Sequence, residues 1–123
     1  MSKATDDAHI DAMLASIATS TTLHVCSAQP ANHAGIAAVT LANVTMTAGD
    51  GNGDYVIANG DSSGRKLRVL VQTAISITGS GTATHVVLTT GSLIYVTTCT
   101  PQGLTAGGTV TVPEWDIEVA DPT

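Results

Sequence analysis

Phenylalanine is absent from this 123-residue chain, and Asp, Glu, Lys and Arg together supply only 11% of it, under half the share usual in soluble domains. The aromatics are Tyr55, Tyr95 and Trp115, too few to furnish a groove that grips carbohydrate or stacks on bases. Positive charge is scarcest, with four cations against ten acids and a net charge of −6. Arg65, Lys66 and Arg68 cluster, but no aromatics interleave with them. A nucleic-acid surface needs a larger basic footprint, so none is expected. No apolar run approaches the ~18 residues that span a bilayer, which excludes a membrane helix. The first residues, Met-Ser-Lys-Ala-Thr-Asp-Asp, lack the apolar core of a signal peptide. A soluble protein made in a cytoplasm is the expectation.

Cysteine is nearly absent too. Cys26 and Cys99 do not form the short C-x-x-C spacings of metal and redox sites. Buried free thiols are expected, and a disulfide would require their two strands to lie side by side.

What the chain does contain is β-branched residues: about one in three is Thr, Val or Ile, types that suit a pleated, half-buried surface. Little charge combined with much Thr and Ala has two readings. Either much of the surface is covered by partners in an assembly, or the chain is a Thr-covered sheet kept soluble by hydroxyls.

Residues Thr5 to Thr19 predict the one helix. Ile10, Met13, Leu14 and Ile17 recur at i, i+3, i+4 and i+7 on a single stripe. Thr5 is placed to cap it, and Asp6 and Asp7 sit where the helix dipole favours negative charge. Strands are expected at Leu23–Ala28, along Ile36–Thr47 with a bulge at Ala42-Asn43, at Tyr55–Ala58, and at Arg65–Gln72 with Leu67, Val69 and Val71 on one face. Ile75 and Ile77 follow a turn or bulge near Thr73. A hairpin over Gly79–Cys99 turns at Gly91-Ser92. Pro101–Gly108 reads as a loop, and Thr109–Val119 as a last strand that changes phase at Pro113, which cannot donate to a ladder. The fold class is therefore mainly β, an antiparallel β-sandwich or barrel of about seven to eight strands with one N-terminal α-helix. Residues 1–22 form the helix and lead-in, and residues 23–123 a single β-sandwich-like domain.

Catalytic patterns are missing as well. Asp50-x-Asn52-x-Asp54 copies half a calcium loop, but Tyr55 stands at the sixth position where such loops need Gly, and Asp61 stands at the twelfth where they use Glu. A plain turn is the expectation. His9, His24, His33 and His85 show no zinc-ligand spacing, and His85 reads as a structural histidine inside the hairpin. No G-x-S-x-G elbow or phosphate-binding glycine loop occurs. Glu114, Asp116 and Glu118 alternate with Trp115, Ile117 and Val119 as an exposed face opposite a buried one. Neither catalysis nor a cofactor is expected.

Several stretches, in matching order along nearly the whole chain, resemble a family of small structural proteins of tailed bacteriophages. They are the N-terminal helix leading into Leu23-His24-Val25-Cys26-Ser27-Ala28-Gln29-Pro30, then Gly64–Val69, Ser80–Leu88, Gln102–Val112 and Trp115–Val119. The resemblance implies a role in particle assembly with no catalytic residues to carry over. The expected function is capsid decoration, as a cement protein bound to the outside of an assembled head. Its expected partners are the major capsid protein and further copies of itself, as a homo-oligomer (a trimer) at a symmetry axis. A tail or fibre-associated module that binds the host surface is the alternative. The candidate contact surfaces are the helix stripe Ile10, Met13, Leu14 and Ile17, and the basic group Arg65, Lys66 and Arg68.

Overall fold

The computed structural model describes residues 6–61 and 64–119. In chain order its elements are α1 (Asp7–Ala18), β1 (Thr22–Cys26), a 3₁₀ turn (His33–Gly35), α2 (Ile36–Val39), β2 (Thr40–Thr45), β3 (Tyr55–Asn59), β4 (Arg65–Val69), β5 (Gln72–Ser76), β6 (Gly81–Thr89), β7 (Ile94–Leu104), β8 (Thr109–Val112) and β9 (Trp115–Val119). The chain is mainly β, with nine strands in three antiparallel sheets and an N-terminal helix. That is one or two strands more than the spacing predicted, and the sheets are not closed into a barrel.

Two compact units share the chain, and each is assembled from separated stretches. Unit 1 takes the stretch ending at Thr19, then Thr47–Val71, then the stretch from Pro113; unit 2 takes Ser20–Met46 and Gln72–Val112.

In unit 1 the sheet order is β3-β4-β9. Leu67 and Val69 on β4 alternate with Lys66 and Arg68, so one face of the sheet is apolar and the other charged. The helix α1 packs beside β3 and β4. Ile10, Leu14 and Ala18 are buried there, together with Tyr55, Leu67, Val69 and Ile117. Asp6 is the N-cap by backbone conformation, with no side-chain cap bond. Thr5, expected in that role, lies outside the described residues, as does the polar end 121–123. The predicted strand ends earlier than expected, at Val69, and Val71 is 49% exposed rather than sharing the buried face. The acid-rich loop before β3 is the turn its composition predicts. Asp50 Oδ1 accepts from the Ile57 N–H at 2.9 Å, Asp54 Oδ2 accepts from the Thr47 N–H, and Asn52 Nδ2 donates to the Ala48 carbonyl at 2.9 Å. These side chains hold the loop's own backbone.

In unit 2 the main sheet has the order β2-β1-β6-β7, and β5 pairs with β8 in a second, two-stranded sheet. Leu23 and Val25 lie opposite Leu88 and Val86 in register, and all four are buried. A small cavity of about 80 Å³ lies between this face and β8, lined by Val25, Ala83, Val86, Leu104, Val110 and Val112 among others. On the opposite face Cys26 and Val87 form a cluster with Ile36, and Val39, Ile94 and Val96 pack against it.

Three local expectations change in this unit. Ile36–Val39 is a single helical turn rather than strand. Asn32, preceding the 3₁₀ turn, caps it with its side-chain oxygen on the Gly35 N–H at 3.0 Å, which starts the chain in helical register. The expected bulge sits one residue early, because Val25 and Cys26 pair with Ala42 and Thr40 and so leave Leu41 out of register. The segment Pro101–Leu104 is the end of β7 rather than loop. The β6–β7 ladder slips between Ala83/Gln102 and His85/Thr98, and that slip accommodates Pro101 without a ladder donor. The shift on β5 falls between Gln72 and Ile75, where Ala74 has φ 53°, close to its predicted place at Thr73. Pro113 separates the last strands as its missing N–H predicts: β8 pairs with β5, and β9 with β4.

Candidate interaction surfaces

Strand β4 carries three of the four cations, and the structure separates them. Arg65 has the parity of Leu67 and Val69, so it reaches towards α1, where its Nε and Nη2 donate to Asp11 Oδ1 at 2.8 Å and Oδ2 at 3.3 Å. Its Nη1 donates to Asn59 Oδ1 at 2.7 Å. This two-pronged bond matches the planar guanidinium to the carboxylate. Lys66 and Arg68 occupy the other face. Lys66 Nζ lies 2.8 Å from Asp61 and 3.4 Å from Asp116, and Arg68 Nε lies 3.1 Å from Asp116. Arg68 and Asp116 are direct cross-strand neighbours, the position at which opposite charges stabilise a sheet.

The proton affinities follow these pairings. Hydrogen bonding to Asp61 raises the Lys66 pKa, and hydrogen bonding to Asp116 raises that of Arg68. Asp116 is held below the usual carboxylate range, first by its bond to Arg68 and then by Lys66. Val56, Ala58, Asn59, Lys66 and Arg68 line an open depression of about 420 Å³. Its cations are already matched by acids of the same unit, so it has no unbalanced charge with which to select an anion.

The helix stripe divides in the same way. Ile10 and Leu14 are buried in the core of unit 1, Ile17 is half-buried, and Met13 is 49% exposed. Only Met13 of the four presents a large free apolar surface. The stripe's periodicity identified a helix face correctly, and the apolar side of β3 and β4 is what that face covers.

Two of the histidines are held by neighbouring hydroxyls. Thr84 Oγ1 donates to the Ser27 carbonyl at 3.0 Å, so it accepts from His85 Nδ1 at 2.8 Å. Thr40 Oγ1 donates to the Ala42 carbonyl at 3.3 Å and accepts from His24 Nδ1 at 3.1 Å. Burial, then the nearby His33, lowers the His24 pKa. Cys26 is buried, and desolvation pushes its thiol up to about 11, which leaves almost no thiolate at neutral pH. Strand β6 lies between the strands of Cys26 and Cys99. Two strand spacings separate their backbones by roughly 10 Å, beyond the ~7 Å limit for a disulfide. Both cysteines are free. Among the described residues, no three His, Cys, Asp or Glu side chains converge as metal ligands.

Unit 2 offers a different kind of surface. Its two stretches, Ser20–Met46 and Gln72–Val112, contain no Asp, Glu, Lys or Arg; all ten acids and four cations lie outside them. The signal is visible in the sequence as two long gaps, from Asp11 to Asp50 and from Arg68 to Glu114, but only the pairing of strands reveals that both gaps fold into one body. The main sheet of this unit has unlike edges. On the β2 side, Leu41 accepts from the N–H groups of Thr78 and Gly79 at 2.8 and 3.0 Å, and Ala42 bridges to Ile77. On the β7 side, among the described residues, no strand pairs with the outer edge. Leu93, in the turn that leads into β7, is 62% exposed. No helix among the described residues is long and apolar enough to cross a membrane. Compared with protein-family models, with curated proteins and with solved structures, the chain finds no match.

Proposed function

We propose that this chain is a structural protein of a tailed bacteriophage particle, and specifically a capsid decoration protein that binds the outer surface of the head and stabilises the shell. One observation carries the reading: a whole folding unit without a single Asp, Glu, Lys or Arg. Net charge keeps free proteins apart in solution, and the cores of protein interfaces are depleted in charge. A unit of this kind, faced with Thr and Ser, suits a surface that spends its life against other subunits. Of the two readings left open by composition, the segregation of charge favours coverage by partners over a hydroxyl-coated free sheet. The resemblance to small phage structural proteins points the same way, towards a major capsid protein and further copies of the chain as partners. Cement proteins act by adding buried interface between neighbouring shell subunits, which needs surface complementarity and no chemistry.

The test is electron cryomicroscopy of purified virions, combined with mass spectrometry of the particles. Density for the chain on the outer face of the head is expected. Density confined to the tail would replace this reading with the tail or fibre alternative, and absence from the particles would overturn both.

A further inference from the structure

The outer edge of β7, with which no strand pairs among the described residues, has a register that matches itself. The Thr90 N–H donates to the Leu93 carbonyl at 3.1 Å, which makes the next couple, Thr89 and Ile94, a non-hydrogen-bonded pair of the β6–β7 ladder. Such pairs alternate with hydrogen-bonded ones. Reading along the observed register, Tyr95 and Thr97 turn their backbone groups towards Leu88 and Val86, while Ile94, Val96 and Thr98 turn theirs outward. The stretch from Ile94 to Thr100 has no charge and no proline, two of the devices that normally keep a strand edge from pairing.

We infer that two copies of this chain pair edge to edge through antiparallel β7 strands, centred on Val96, to join two four-stranded sheets into one. In that register Val96 exchanges both backbone hydrogen bonds with Val96 of the second copy, and Ile94 does so with Thr98 of the second copy. Tyr95 falls opposite Thr97, an aromatic and β-branched couple that favours sheet pairing. Leu93 falls opposite Cys99, which covers the most exposed large apolar side chain of the unit. No like charges meet across the seam, because unit 2 has no acid, lysine or arginine. The occupant is a second copy because, of the antiparallel self-pairings of this edge, the one centred on Val96 engages all three outward residues, Ile94, Val96 and Thr98, with no charge to oppose it. The β2 side of the sheet is engaged by Thr78 and Gly79, so the edge contact is isologous and closes at two chains. The proposed assembly is a dimer, where the expectation above was a trimer. The inference is independent of the capsid reading, which is decided by position in the particle.

Sedimentation equilibrium of the full chain over a concentration series is the first test. Twice the mass of one chain is expected; a monomer at every concentration, or a trimer, would overturn the pairing. Thr98→Pro and Thr98→Lys each block the outward edge at an exposed position, and each is expected to weaken the dimer at least tenfold with an unchanged circular dichroism spectrum. A dimer insensitive to both would place the interface elsewhere. A cross-link covers the case in which those variants misfold. Under a mild oxidant, Leu93→Cys should give a reducible covalent dimer through Cys99 of the second copy, which disappears when Cys99→Ser is added. Within one chain the two positions are roughly 20 Å apart along the strand, so no internal bridge competes. Failure of Leu93→Cys to cross-link in a dimeric sample would refute the register.

Discussion

At the scale of single residues, His24 and Asp116 each link stability to acid pH, one in each unit. The folded protein holds the His24 pKa below its usual value, so the unfolded chain binds the proton first. Its contribution is present above the unfolded value of about 6.5 and is lost as pH falls from there towards the folded value. Asp116 is also depressed in the folded state. Its contribution is present above the unfolded value of about 3.9 and fades as pH falls through the lower folded value. Thermal melting against pH should therefore show two separate acid limbs. His24→Gln is expected to flatten the upper one and Asp116→Asn the lower one; a single limb unchanged by either variant would contradict these assignments. Neither shift was legible in the sequence. The His24 shift depends on the fold that half-buries its ring and brings His33 near, and the Asp116 shift depends on β9 lying beside β4.

Among the elements, α1 shows what periodicity reveals and what it leaves open. The i, i+3, i+4, i+7 pattern identified the helix and its apolar side, yet the pattern is the same whether that side meets a partner or the chain's own sheet. The structure resolves the choice by burial: Leu14 is 0% exposed and Met13, its neighbour in sequence, 49%. Leu14→Ala should destabilise by about 2–5 kcal/mol, and Met13→Ala by no more than about 0.5 kcal/mol, read by chemical denaturation. Equal effects would argue against the packing of α1 on β3 and β4. The hairpin of β6 and β7 was legible from alternation and from Gly91, whose φ of 128° suits a residue without a side chain. The helical turn at Ile36 was not, because four residues are too few to display a period. The continuation of β7 through Pro101 was hidden for another reason: proline and glycine ordinarily mark a loop, and here a slipped ladder absorbs them.

For the molecule as a whole, charge divides along the boundary between units. Residue order conceals this, since each unit collects stretches distant in sequence. Association through unit 2, whether with a second copy or with a capsid, should depend weakly on ionic strength, because screening acts on charges that this unit lacks. Titrations at low and high sodium chloride are expected to give nearly the same dissociation constant. A steep weakening with salt would move the contact to the Lys66, Arg68 and Asp116 face of unit 1.

The way the chain weaves between the units also governs its biosynthesis. Strand β9 completes the unit 1 sheet, yet the ribosome makes it after every residue of unit 2. Strands β3 and β4 must wait without their third strand while the larger stretch of unit 2 is synthesised. Unit 2 in turn cannot complete its β5–β8 pair until residues 109–112 emerge. Neither unit can be excised as one continuous fragment, and neither has all its strands until residues 109–119 have been made.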